Sequence, residues 1–208
     1  MRGIVLLAAV LVTGGASCGR TLQPLRGELT TRLLPRTVAS TGPERVVVDW
    51  RYSDVDFAVR GEGLVRVSPP DSARLDFFLN GGYGGGKAYL IGEALVAPDA
   101  GRLDRVLPPP ELLWAALGRL AVQGADTTIR VDGDTLRAEI GTAPRWRAAF
   151  VAEQLVRLER IEEDRVTEFV VRQDTSTVRY ERTAPRRRLD IAIVGREPTR
   201  GFDAEIWR

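Results

Sequence analysis

From Glu44 onward the apolar residues recur mainly at every second position. Val46, Val48, Trp50 and Tyr52 share one face of an extended chain while Val47, Asp49 and Arg51 share the other, the alternation of a half-buried strand. Val55, Phe57 and Val59 repeat it, and the same period predicts strands over 64–67, 74–80, 88–91, 127–131, 135–140, 145–151, 166–172, 177–181, 189–194 and 202–207. Gly, Pro, Asp and Ser collect between these runs, with Asp132-Gly133 as a hairpin turn. Short strands at this spacing predict an antiparallel meander that must curl into a barrel or fold into a sandwich. Between 151 and 158, Val151, Leu155 and Leu158 suit a helix, whereas Val156 and Leu158 suit a strand; the alternating flanks favour the strand.

One interruption breaks the meander. After Pro108-Pro109-Pro110 the residues from Glu111 to Leu120 are good helix formers, and Leu113, Trp114, Leu117 and Leu120 form an apolar stripe. A lone amphipathic helix in a β-meander is most simply a lid across an open sheet end, although a helix packed on the exterior satisfies the same periodicity.

The N-terminus reads differently. Arg2 precedes an apolar run from Ile4 to Val12, followed by the small residues Thr13 to Ser17, the layout of an export signal over 1–17. The run is too short to span a bilayer. It ends at Cys18, the only cysteine, and Gly15-Ala16-Ser17-Cys18 resembles the box at which bacterial lipoproteins are cleaved and acylated on sulfur. Gly15 stands where leucine is usual, so ordinary cleavage near Ala16 is the competing reading. Cys18 is expected to be a lipid anchor, since a diacylglyceryl group plus an amide-linked chain holds a protein far more firmly than one acyl chain. Residues 18–44 read as a tether with a short helix over 28–34 stopped by Pro35, leaving 45–208 as a single β-rich domain.

Composition narrows the chemistry. The chain has 208 residues, 44% hydrophobic and 28% charged, and no histidine, so imidazole bases, the usual triads and most zinc sites are excluded. Of the 30 basic residues only Lys87 is lysine, but 28 acids bring the formal charge to +2 and the charges are interspersed. Nucleic acid is not an expected partner. The run from Gly81 to Lys87 has the offsets of a phosphate-binding loop, but Ala88 replaces the hydroxyl and a strand follows, so it reads as a hairpin tip. Asp132, Asp134 and Glu139 lack the spacing of a calcium loop. Arg186-Arg187-Arg188 reads as a solvated turn, with contact to anionic lipid head groups as the alternative; Glu162-Glu163-Asp164 reads as a hairpin tip, and no metal, cofactor or enzymatic activity is expected.

Two stretches stand out: residues 74–84, Arg-Leu-Asp-Phe-Phe-Leu-Asn-Gly-Gly-Tyr-Gly, and residues 110–118, Pro-Glu-Leu-Leu-Trp-Ala-Ala-Leu-Gly. They resemble, in the bacterial lipoprotein-localisation (LolA/LolB-like) family and particularly its outer-membrane acceptor, the strand that ends in a hairpin bearing a protruding hydrophobic residue and the helix that ends in Leu-Gly. The resemblance implies an incomplete, half-open barrel with an inserted lid helix, whose apolar interior takes up acyl chains of lipids or lipoproteins without covalent chemistry. It implies Tyr83 as a membrane-delivery residue, with an aromatic turn residue of no duty as the alternative. Trp50, Phe57, Leu75, Phe77, Trp114, Trp146 and Ile191 are the candidate cavity lining, or ordinary core. A periplasmic carrier would be a partner, and the location the cell envelope, anchored in the outer membrane and facing the periplasm. A structural or protein-binding envelope lipoprotein with a filled core is the alternative.

Overall fold

A computed structural model describes residues 22–81, 84–98 and 105–207. It contains one thirteen-stranded antiparallel sheet, curled but not closed into a barrel, with a single α-helix inserted. The strands in chain order are β1 Glu28–Leu29, β2 Glu44–Asp54, β3 Ala58–Ser68, β4 Ser72–Leu79, β5 Gly85–Ile91, β6 Ala94–Val96, β7 Thr127–Asp132, β8 Thr135–Ile140, β9 Arg145–Val151, β10 Gln154–Glu162, β11 Arg165–Arg172, β12 Thr177–Arg182 and β13 Arg187–Pro198. The helix α1, Pro110–Ala116, lies in the connection from β6 to β7.

Two meanders, β2 to β6 and β7 to β13, are joined because β13 returns to pair with β2 from Arg187↔Asp54 to Pro198↔Glu44. That long-range pairing makes one sheet with β6 and β1 at its open edges. The inward phase of each strand follows the expected alternation: Val46, Val48, Trp50 and Tyr52 are all buried, as are Ala73, Leu75 and Phe77 on β4.

Four expectations are corrected. Residues 28–34 form no helix: Glu28 and Leu29 are an edge strand against Val131 and Arg130 of β7, and Leu22 N–H donates to Asp164 O, so this segment is bound to the sheet. Val59 and 64–67 belong to one continuous strand, β3, because Gly61 and Gly63 extend it past Trp50. Residues 202–207 form no strand; Ala204–Trp207 is a 3-10 helix, held to the sheet by Arg74 Nη1 donating to Ile206 O at 2.8 Å. The helix ends at Ala116, short of the expected Leu120. Gly118 adopts φ +101°, its N–H donates to Ala115 O, and Arg119 N–H donates to Trp114 O, a Schellman termination that a left-handed glycine permits. The segment 151–158 is extended on both sides of a turn at Ala152 and Glu153, as the alternating flanks favoured.

Candidate functional site

The concave face of the sheet is covered by α1 and the Leu107-Pro108-Pro109 segment. Residues 112–116 are all buried, so α1 is surrounded and not a two-faced lid with a wet side. It is held at several points. Trp114 Nε1 donates to Gly92 O at 2.7 Å, Arg172 Nη2 donates to Ala116 O at 3.0 Å, and Leu120 N–H donates to Thr37 Oγ1 at 2.7 Å. Burial lowers the pKa of Arg172, and the nearby Arg196 lowers it further.

At one end of this face lies an enclosed apolar trough between α1 and the sheet. Leu113, Ala116 and Leu117 enter it from above; Trp50, Leu75, Phe77 and Ile191 are part of its wall. Trp50 and Phe77 meet edge to face with centroids 5.8 Å apart, and Trp50 Nε1 donates to Glu62 O at 2.8 Å. The Trp50 ring sits over glycine. A Cβ at Gly61 would stand 2.8 Å from Trp50 Cζ2 and 1.8 Å from Phe78 O, and one at Gly63 would touch Val48 at 3.0 Å. Glycines alternating inside a strand signal such a close approach; the sequence carries that signal in Gly61-Glu62-Gly63, which hydrophobic alternation does not register.

The trough is nearly full, with a cavity of about 30 Å³, room for about two waters and far below the roughly 300–1,000 Å³ of a small-molecule pocket.

Of the seven candidate lining residues, the structure brings four together, Trp50, Leu75, Phe77 and Ile191, and places three elsewhere. Trp114 points away to the β5–β6 turn and lies under the Arg119 guanidinium, 4.7 Å from its ring centroid. Trp146 is buried in the β9 wall beyond the trough, paired across to Arg160 and Ile140. Phe57 packs on Tyr52 with centroids 5.3 Å apart. Periodicity identified each as inward or partly inward, but position along a strand decides which side chains meet α1. Cys18 and Tyr83 lie outside the described residues.

At the other end the inward positions are charged. Arg160, Glu168, Arg182, Arg187 and Asp54 are successive cross-strand partners over β10, β11, β12, β13 and β2, one row across the sheet. Beside this row is a second cavity of about 290 Å³, bounded by Glu168, Tyr180, Arg182, Arg187 and the apolar Leu95, Leu107 and Pro108. Leu107 belongs to both cavities. Glu168 is 6% exposed; Arg182 Nε lies 3.6 Å from its Oε1, Tyr180 lies beside it on the cavity wall, and among the described residues its Oε2 has no hydrogen-bond partner. Burial pushes its carboxyl above the usual glutamate range, against the opposing pull of Arg182 and Arg160. Next to the row, burial and then the hydrogen bond to Asp54 push the Tyr52 hydroxyl up to about 12. The sequence contained this row in the phase of β11, where Glu168, Val170 and Arg172 alternate on the buried side. Among the described residues no group of three or more His, Cys, Asp or Glu side chains is arranged to hold a metal, and no helix is long and apolar enough to cross a membrane.

No protein-family model and no curated protein sequence matches the chain. Solved structures do. A LolA superfamily protein from Nitrosomonas europaea matches with TM-score 0.53 at 10% identity, covering 81% of this chain and 90% of that one. A DUF1329 family protein from Desulfovibrio piger matches with TM-score 0.53 at 11% identity, covering 82% and 91%. At such identities the likeness is one of fold: the chain has a LolA-like fold, a half-open antiparallel sheet with an inserted helix.

Proposed function

We propose that this protein is a lipid-anchored protein of the cell envelope that takes acyl chains of lipids or lipoproteins beneath α1, in the manner of an outer-membrane lipoprotein acceptor. One observation carries the reading: an enclosed apolar trough on the concave face is filled by three side chains of one short helix segment, Leu113, Ala116 and Leu117. The described conformation is the closed one, and uptake requires α1 to yield its place to the cargo. Ten methylenes gained from water contribute about 8 kcal/mol, at about 0.8 kcal/mol each, enough to offset the displaced side chains and the ordering of the ligand. Cys18 is the anchor, Tyr83 a membrane-delivery residue, and a periplasmic carrier the donor. The role needs no covalent step and no cofactor.

The small cavity favours a second reading, a structural or protein-binding envelope lipoprotein whose core is simply full. Titration of the purified full chain with a fluorescent fatty acid separates the two. The acyl-chain reading expects saturable uptake, weakened about tenfold or more by Ile193→Asp, which sets a charge on the half-buried trough wall. Absence of saturable uptake of any acylated ligand leaves the filled-core reading.

A further inference from the structure

The charged end of the concave face has a feature that acyl-chain uptake alone does not use. Glu168 is more than nine-tenths buried, among the described residues its Oε2 is without a hydrogen-bond partner, and it lines the 290 Å³ cavity. An unsatisfied buried carboxylate oxygen is destabilising, and such a cost in a native protein calls for a group that meets it. On the same cavity the Arg187 guanidinium donates no hydrogen bond among the described residues, and its charge acts on Asp54, Tyr52 and Tyr180. Its neighbour in the row, Asp54, is engaged by the Tyr52 hydroxyl at 2.9 Å and by the N–H groups of Asp56 and Phe57 at 2.8 and 2.9 Å.

The cavity is therefore lined by a buried carboxylate and by a guanidinium that, among the described residues, donates no hydrogen bond. A simple anion would satisfy Arg187 but be repelled by Glu168; a simple amine would satisfy Glu168 but face Arg182 and Arg187. A molecule with an oxyanion and an ammonium a few bonds apart satisfies both, the phosphate matching the guanidinium fork. Leu107 continues the wall into the apolar trough, four residues along the strands from the charged row, about 13 Å at 3.3 Å per residue.

We propose that this cavity binds a phosphoethanolamine-type zwitterionic head, phosphate on Arg187 and ammonium on Glu168, as the polar end of an amphiphile whose tail passes Leu107 into the trough. The placement of the tail rests on the acyl-chain reading; the head site does not.

Calorimetric titration of the full chain tests this with three probes: lysophosphatidylethanolamine below its micelle concentration, lysophosphatidic acid of the same chain length, and O-phosphoethanolamine. The ethanolamine lipid should bind at least tenfold more tightly than the phosphatidic one. Arg187→Gln should weaken both lipids about tenfold, and Glu168→Gln should erase the preference between them while leaving the chain at least as resistant to urea, which separates ligand contact from a structural role. Equal binding of the two lipids, indifferent to both variants, overturns the head site and leaves the acyl-chain reading standing. Binding of O-phosphoethanolamine with the same dependence on Arg187, without binding of either lipid, upholds the head site for a free zwitterion and defeats the acyl-chain reading. No binding of any probe overturns both.

Discussion

At the trough end, β2, β4 and β13 turn Trp50, Leu75, Phe77 and Ile191 toward α1, and helix side chains fill the space between them. Four residues further along β2, β12 and β13, the inward positions are Asp54, Arg182 and Arg187, and in their row lies a cavity about ten times larger with a buried carboxylate beside it. The first region is a core in composition and packing, where loss of volume is the danger. The second is a row of charged side chains turned inward beside a cavity, where burying polar groups costs stability. Strand alternation dictates inwardness at both ends; what an inward residue does depends on what stands opposite it.

The largest expected effect lies at the trough. Phe77→Ala removes a buried ring that stacks edge-on against Trp50, and should lower stability by about 3–5 kcal/mol in urea unfolding. A loss below 1 kcal/mol would show that this end is loosely packed and erase the contrast. Gly118→Ala puts a side chain on a residue at φ +101° and should cost roughly 1–2 kcal/mol, with α1 amides losing hydrogen-exchange protection ahead of those in β2.

The charged end should respond with the opposite sign. Glu168→Gln keeps the shape and removes a buried charge, and is expected to raise stability by roughly 1 kcal/mol near neutral pH. A clear destabilisation would mean that the ion pairing with Arg182 and Arg160 outweighs burial. The smallest effect sharpens this one. Because the folded-state carboxyl titrates above the ordinary glutamate value, folding favours its protonated form. The stabilisation from this group is present below the unfolded value and is lost as pH rises through the folded one. The groups facing it are Arg182, Arg160, Glu162 and Tyr180. The advantage of Glu168→Gln over the parent chain should therefore be near zero at acid pH and grow toward neutral pH, read as the difference in urea midpoints.

Much of the architecture was legible from alternation. The inward phase of β2, the run of strands from β7 to β13 and the location of α1 all follow from period two and one proline-initiated helical stretch. Misreadings fell where a distant partner overrides local preference. Glu28 and Leu29 sit in sequence that suits a helix yet are captured by the open edge of β7, and the alternating residues at 202–207 find no strand to pair with. The early stop of α1 was written in Gly118, which the helical stripe masked.

By itself the sequence determined the class of structure, because a side chain's face on a strand depends only on parity, and the order of strands along the chain allows little besides a meander. It also determined which chemistry is absent, since a chain without histidine cannot build imidazole sites. Only the tertiary structure decided that β13 closes onto β2, which lines Arg160, Glu168, Arg182, Arg187 and Asp54 into one row from segments more than a hundred residues apart. It also decided which inward aromatics meet α1 and which do not. Register between distant strands is set by the fit of whole faces, and no local pattern encodes it.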